Sequence, residues 1–239
     1  MLSHLIDNGA DIHASATGIG TPFHVATSKA SASLVRYLVD AGADVDAFDD
    51  NMGTPLHCGA SCGSADIALC LLEGGAGAGI NTFSVWRGTP LGVAVDRTRI
   101  DVVEVLLEQG VDVNAPCTHQ GRTALMMAAM KVARTDNESQ IRCMQLLCEH
   151  GAAVDLQDQE GWTALMIAEH WGSPDGIRDV RRILRSYNRE YPLAVHVQTP
   201  YWSLSGRADS TEFEARTRDP AGPPPSPVSW ARQLGKRSS

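Results

Sequence analysis

The chain has 239 residues, of which 43% are hydrophobic, 20% are charged and only 5% are aromatic, and its formal net charge at pH 7 is -8. The acidic excess lies in residues 1–186, which hold 13 Lys and Arg against 23 Asp and Glu, whereas residues 187–239 hold 7 against 5. Binding to phosphates needs a basic footprint, so this distribution argues against a nucleic-acid partner.

One helix start recurs five times along the chain. The first copy is Thr21-Pro22-Phe23-His24, where the threonine suits a helix cap and the proline suits the first helical position. The copies begin at Thr21, Thr54, Thr89, Thr123 and Thr163, at spacings of 33, 35, 34 and 40 residues. Spacing this regular predicts an array of similar units.

A second landmark alternates with the first. It is an apolar run followed by Gly-Ala-Asp-Val or a variant, as in the stretch from Leu38 to Val45. The copy Thr54-Pro55-Leu56-His57 also begins with the T-P-L-H of the ankyrin signature. On these residues the chain resembles the ankyrin-repeat family from residue 1 to about residue 186.

The resemblance implies an all-α fold, an ankyrin-repeat solenoid of stacked helix-turn-helix units with β-turn fingers. We expect a partial first repeat followed by about five repeats within residues 1–186. Leu2, Leu5 and Ile6 fit the second helix of a repeat whose first helix and turn are absent. We therefore expect either a piece of a longer array, which we favour, or an end that something else covers.

Individual repeats depart from the family pattern. The family histidine, which bonds the backbone and the threonine hydroxyl to hold neighbouring turns, is replaced by Gly92 in repeat three. Thr98 stands where the family usually has glycine between the helices. The turn glycine directly precedes the threonine in repeats one to three but lies one residue earlier at Gly121 and Gly161. The early and late fingers should therefore differ in shape.

Three segments extend or close the array. A loop is expected over Gly74–Gly79, which replaces Gly-Ala-Asp and adds two residues. Repeat four is longer between its helices, over Lys131–Gln140. A last helix is expected after Ser173, with Arg178, Arg181, Arg182 and Arg185 on a polar outer face of the kind a capping repeat needs; a basic docking patch is the alternative.

The periodicity stops after Tyr187. Residues 187–239 are rich in proline and contain Pro223-Pro224-Pro225-Ser226-Pro227, so we expect a largely disordered C-terminal tail. The proline run is either a plain linker, which we favour, or an extended ligand for an SH3 or WW module.

Catalytic, metal and cofactor chemistry are not expected. The resemblance assigns His24 and His57 a structural role, and the six cysteines lack the paired spacings of a zinc site. Reduced thiols, the absence of an apolar run of spanning length and the lack of a signal-peptide pattern predict a cytoplasmic or nuclear protein. We expect no enzyme activity, no cofactor, no membrane insertion and no small-molecule substrate.

The sequence predicts a non-catalytic scaffold or adaptor that binds a protein through the concave face of fingers and first helices. The alternative is a part of a larger multidomain protein, such as a kinase or a ubiquitin-ligase substrate adaptor, in which the array only provides recognition. The candidate binding residues lie in the groove of fingers two to four: Asp49, Asp50 and Asn51 on the rim, Val85, Trp86 and Arg87 on the third finger, and Met127 and Met130 on the first helix of repeat four. Packing of Trp86 between fingers and of the methionines between helices is the competing interpretation.

Overall fold

The computed structural model describes residues 6, 8–16, 18–77, 79–134 and 138–188, with all side chains of the last segment except that of residue 188. In these residues the regular structure is helical, and the predicted all-α solenoid is confirmed. The ten α-helices of this part are α1 Pro22–Ser28, α2 Ala32–Asp40, α3 Pro55–Cys62, α4 Ala65–Leu71, α5 Pro90–Asp96, α6 Ile100–Glu108, α7 Ala124–Arg134, α8 Glu138–Glu149, α9 Ala164–Trp171 and α10 Pro174–Asn188.

The helices form two stacked layers. In the first layer α1, α3, α5, α7 and α9 each pack on the next, and in the second layer α2, α4, α6, α8 and α10 do the same. The apolar faces of both layers meet in one continuous core that extends from Phe23 to Leu184. Because each helix pair is too thin to bury its own apolar face, stability depends on this stacking.

The threonines begin the first helices as predicted. Thr54 has extended backbone angles and precedes Pro55, the first residue of α3. In repeats three and five the hydroxyl oxygens of Thr89 and Thr163 accept hydrogen bonds from the N–H groups of Gly92 and Met166, at 3.1 and 3.3 Å. Each threonine therefore satisfies a backbone donor that the first helical turn leaves unpaired.

The second landmark ends the second helices with a glycine in the left-handed region. Gly42, Gly110 and Gly151 have φ near +80°, and the next residue points into the core in each case. The prediction that Gly74–Gly79 replaces this landmark is wrong. Gly75, with φ of 109°, and the buried Ala76 keep it, and both lie within a π-helical turn over Leu72–Ala76. The two added residues follow the landmark because the core slot of Ala76 must be filled before the chain can loop.

The insertion in repeat four was expected as a loop but mainly lengthens two helices. α7 has 11 residues where α1 and α5 have 7, and α8 has 12 residues; residues 135–137 lie outside the described part. The extra turn of α7 rests on the junction between α9 and α10, where the N–H of Ser173 donates to the carbonyl of Ala133 at 2.7 Å. A side chain at Gly176 would collide with that carbonyl, so glycine permits the contact.

The last helix has the predicted capping features. The hydroxyl of Ser173 accepts from the N–H of Gly176 at 3.2 Å, and Val180, Ile183 and Leu184 are buried in the core. Arg178 and Arg182 are exposed on the opposite face and pair with aspartates three residues earlier in the helix. Ion pairs this exposed contribute little, so the face is a solvated one.

The two ends of the sequence lie largely outside the described residues. Of the three apolar residues predicted for the N-terminal half-repeat, Leu2 and Leu5 lie outside the described residues, and the half-buried Ile6 packs against the core. The predicted tail, with its Pro223–Pro227 run, begins where the description ends. The boundary proposed at residue 186 falls two residues before the end of α10.

Substitution of Leu106, a fully buried residue of α6, tests the shared core. Leu106→Ala should lower the free energy of unfolding by about 2 to 5 kcal/mol, because it opens a cavity between repeats. Urea unfolding followed by circular dichroism measures this change. Glu104→Ala, on the exposed face of the same helix, is the matched control and should change stability by less than about 0.5 kcal/mol. Equal effects of the two substitutions would contradict the shared core.

Candidate functional site

The fingers are tight turns that project from one edge of the helical stack. Isolated antiparallel bridges close the first three between Ala16 and Gly20, Asp49 and Gly53, and Ser84 and Gly88. The fourth closes between Pro116 and Thr123 and is therefore wider. The predicted difference between early and late fingers is present at the fourth, where the turn glycine, Gly121, lies one residue earlier. In the fifth finger the N–H of Asp158 donates to the carbonyl of Trp162 at 3.0 Å.

Two buried histidines join neighbouring fingers. The Nε2 atoms of His24 and His57 lie 2.9 and 3.0 Å from the carbonyl oxygens of Gly53 and Gly88, one finger further along. Their Nδ1 atoms accept the backbone N–H of Thr21 and Thr54. A ring that accepts at Nδ1 and meets a carbonyl at Nε2 is neutral and carries its proton on Nε2. The structural role that the resemblance implies for these histidines is therefore present in the geometry.

The environment of His57 keeps its imidazole neutral. Burial lowers the pKa of His57 from 6.5 to about 4, although the hydrogen bond to Gly88 acts in the opposite direction. A second proton would occupy Nδ1, which is the acceptor for the Thr54 N–H. The hydrogen bonds of His57 that connect fingers two and three therefore require the neutral imidazole, which is present near pH 7.

Repeat three replaces this histidine by a different contact. The Cβ of Cys117, from the fourth finger, occupies the space beside Gly92, where any side chain on Gly92 would come within 2.7 Å of it. The hydroxyl of Thr89 donates to the sulfur of Cys117 at 3.1 Å. Burial raises the pKa of the Cys117 thiol to about 11. The small thiol thus fills the place of the missing imidazole and connects the third and fourth fingers.

The finger tips are also connected to one another. The Nε of Arg87 donates to the carbonyl of Asn51 at 2.9 Å, which joins the third tip to the second. The Nε2 of His119, on the fourth finger, forms a hydrogen bond with the carbonyl of Val85. The centroids of the His119 and Phe83 rings lie 5.4 Å apart in a T-shaped arrangement. Fingers two to four therefore form a supported row whose tips are held in place.

Large apolar side chains are exposed on the first three fingers. Among the described residues, the large hydrophobic side chains that are exposed all lie in repeats one to three: Ile19 (57% exposed), Val25 (36%), Phe48 (51%), Phe83 (39%), Val85 (51%) and Trp86 (59%). All except Val25 of α1 belong to fingers, and we call those five residues the finger patch. Exposed apolar clusters of this kind mark interaction surfaces in proteins.

The predicted site residues divide into two groups. Val85 and Trp86 are exposed in the finger patch, and the contact between Arg87 and Asn51 joins their finger to the Asp49–Asn51 turn. The interpretation that Trp86 is packed away between fingers is wrong. Asp49 has a structural role, since its carboxylate accepts the N–H groups of Asn51 and Met52. Asp50 is exposed beside them.

The two methionines form the second group. Met127 and Met130 on α7 are half-buried and pack against the core, so they offer less open surface than the finger residues. Their part in the proposed groove stays a prediction.

Sequence reasoning missed Ile19, Phe48 and Phe83. Phe48 and Phe83 each lie six residues before the threonine of their repeat, a shared position that a comparison of the aligned repeats would have found. Both phenylalanines are exposed at this position, so the surface of the two fingers is apolar there. Ile19 has no such repeated partner in the neighbouring fingers.

Two buried cysteines and the distribution of metal-ligating side chains bear on catalysis and metal binding. Burial raises the pKa of Cys143 and Cys148 to about 12 each, so neither thiol is a nucleophile near neutral pH. No group of three His, Cys, Asp or Glu side chains within the described ranges is arranged to hold a metal ion. The helices described above are also too short or too polar to span a bilayer.

Comparison with known proteins agrees with this architecture. A family model for ankyrin repeats in three copies matches residues 1–84 and 117–188, and a second model for ankyrin repeats in many copies matches residues 93–131. Curated relatives include the potassium channel AKT1 of Oryza sativa subsp. japonica and of subsp. indica, each 32% identical over 83 residues. The potassium channel AKT3 of subsp. japonica is 31% identical over 83 residues. These alignments cover 35% of this chain and only 8% of each channel.

The pH dependence of stability tests the neutral His57. Because its pKa is about 4 when folded and near 6.5 when unfolded, the unfolded state binds the proton more readily. The contribution of the neutral His57 to the free energy of unfolding is therefore complete above pH 6.5 and is lost as the pH falls toward 4. His57→Gln should remove about 2 to 3 kcal/mol of the decrease in unfolding free energy between pH 7 and 4.5.

Urea unfolding at a series of pH values measures this effect. The substitution will also lower stability at pH 7, so the test is the slope against pH rather than the absolute value. His13→Gln, at an exposed histidine, is the matched control and should keep the wild-type slope. An unchanged slope in His57→Gln would contradict a buried neutral imidazole.

Proposed function

The chain belongs to the ankyrin-repeat family, whose repeats are generally protein-interaction modules and are typically non-catalytic, and we propose that it is a scaffold or adaptor that binds a protein partner through the finger patch. The main support is the distribution of exposed apolar side chains, which in the described residues is confined to repeats one to three. Trp86 is the proposed anchor because tryptophan is among the commonest hot-spot residues of interfaces.

The support beneath the patch favours a binding role. Finger three is held from one side by the bond between Arg87 and Asn51 and from the other by His119. His57 fixes its base from within the core. A surface that is already ordered loses less conformational entropy when a partner binds, and this raises affinity for a given contact area.

The proposed groove extends from the finger patch toward repeat four. Asp49, Asp50 and Asn51 form its rim, and Met127 and Met130 its floor, where a flexible thioether adapts to the shape of a partner. The acidic excess of residues 1–186 disfavours a nucleic-acid partner. The six thiols are free, and all but Cys62 are buried, which suits the reducing cytoplasm or nucleus that we propose as its location.

A second candidate is that the array provides recognition for a larger multidomain protein. The observation that favours it is the small share of the channel relatives that the alignment covers, because a similar segment there is one part of a much longer chain. A kinase or a ubiquitin-ligase substrate adaptor would use the same finger surface, so both candidates predict the same binding residues.

Mutation of Trp86 tests the proposed surface. A partner is first captured with the full chain and purified, and its dissociation constant is then measured by calorimetry. Trp86→Ala should weaken binding by about 30-fold, equivalent to roughly 2 kcal/mol, because it removes the largest exposed apolar side chain of the patch. The unfolding midpoint should stay unchanged, since the indole is 59% exposed.

The control lies at the other end of the array. Arg182→Ala removes an exposed side chain of α10 and should alter the dissociation constant by less than about twofold. Equal losses from both substitutions, or loss of binding only when the array itself unfolds, would contradict a partner site on the finger patch.

A further inference from the structure

The finger patch presents aromatic side chains at the spacing of the repeats. Phe48 and Phe83 occupy the same position of consecutive fingers, and Trp86 lies three residues after Phe83. The first helices below them, α3 and α5, pack directly on each other. Packed helices lie about 8–10 Å apart, so equivalent side chains of adjacent repeats recur at about that distance.

This spacing matches one extended ligand conformation. A polyproline II helix has three residues per turn and rises about 3.1 Å per residue, so one face repeats about every 9.3 Å. The corresponding distances are about 5.4 Å in an α-helix and about 6.8 Å in a β-strand, and neither matches the repeat. Grooves lined by aromatic side chains are the usual receptors for polyproline II segments.

The chain itself contains a ligand of this chemistry. We propose that Pro223-Pro224-Pro225-Ser226-Pro227 docks on the finger patch of the same molecule in the polyproline II conformation and competes there with the protein partner. The proposal relies on the proposed function for the competing partner, but docking itself needs no external protein.

The length of the connecting segment is compatible with docking. Residues 189–222 separate the end of α10 from the proline run, and a random coil of 34 residues has a root-mean-square span of about 30–35 Å. The third finger is two repeats before the fifth, or about 20 Å along the stack. At this separation a tethered ligand has an effective concentration in the millimolar range.

Charge also favours this occupant. The residues after the proline run include Arg232, Lys236 and Arg237, and residues 220–239 contain no Asp or Glu. Residues 1–186, which these cations would approach, have 23 Asp and Glu against 13 Lys and Arg, and Asp50 is exposed two residues after Phe48 of the finger patch. Long-range attraction therefore brings the proline segment toward the array rather than away from it.

Photo-crosslinking in the full chain tests the docking. Trp86 is replaced by p-benzoylphenylalanine, which keeps an aromatic side chain at this position, and the crosslinked peptides are mapped by mass spectrometry. We expect crosslinks to residues 223–230 within monomers. The same photo-reactive residue in place of Arg97, which is exposed outside the patch at the end of α5, should give none.

A second variant removes the ligand and keeps the chain length and charge. Replacing Pro223, Pro224, Pro225 and Pro227 by serine should abolish the crosslinks. It should also raise the affinity for a fluorescent peptide of residues 221–232 on the order of tenfold, because the tethered competitor is gone. Adding Trp86→Ala to this variant should eliminate peptide binding.

Three results would overturn the proposal. Crosslinks from position 86 to other segments, or crosslinks that persist after the proline substitutions, would show that the proline run is not the occupant. Crosslinks between chains that increase with protein concentration would identify a second copy as the occupant. If Trp86→Ala weakens binding of the purified partner while no crosslinks form, the proposed function holds and the internal docking is wrong. If crosslinks form as expected but Trp86→Ala leaves partner binding unchanged, the docking holds and the proposed partner site is wrong.

Discussion

The buried contact between the base of one finger and the backbone of the next is the constraint on which the proposed binding surface depends. In the first two repeats this contact is a neutral imidazole whose two nitrogen atoms bond the threonine N–H of its own repeat and a glycine carbonyl of the following one. The glycine carbonyls are buried and the threonine N–H groups are buried or half-buried, so an unpaired group at this place would be costly. The contact therefore fixes where each finger stands relative to its neighbour.

Repeat three shows that position, rather than the imidazole itself, is what must be preserved. Gly92 leaves a space, and Cys117 fills it from the fourth finger while accepting the Thr89 hydroxyl hydrogen bond. The change moves the contact from the earlier repeat to the later one. The fourth finger closes differently from fingers one to three, and His119 bonds it back to the third.

A row of fixed fingers explains why exposed aromatic side chains are tolerated in this array. On a mobile loop, Phe48, Phe83 and Trp86 would collapse onto the nearest apolar surface, whereas on supported turns they remain available. The same support gives the patch a regular spacing, which is the basis of the proposal that an extended, proline-rich segment of the chain binds there and competes with a protein partner.

Local signals in the sequence account for the architecture, because the threonine-proline starts and the glycine landmarks act within a few residues of themselves. Capping needs only the next turn of helix, and a left-handed glycine at the end of each second helix needs only the preceding turn. For that reason the helix pairs and the altered fourth finger were predictable. The role of the two histidines is not local, since they bond carbonyls 29 and 31 residues away, and it came from the resemblance to the family. Trp86 as a candidate also came from local residues, since the repeat pattern leaves its position unconstrained.

The contacts between repeats, in contrast, could be seen only in the folded structure. The replacement of an imidazole by Cys117 joins residues 25 positions apart, and no local rule connects Gly92 with that thiol. The insertion in repeat four extends α7, whose last turn packs against Gly172 and Gly176. The sequence of α7 alone does not reveal this contact. The exposure of Phe48 and Phe83 likewise depends on how neighbouring fingers stack. Side chains at one position of a repeat are buried or exposed by the repeats beside them, and those neighbours are brought together only by the folded array.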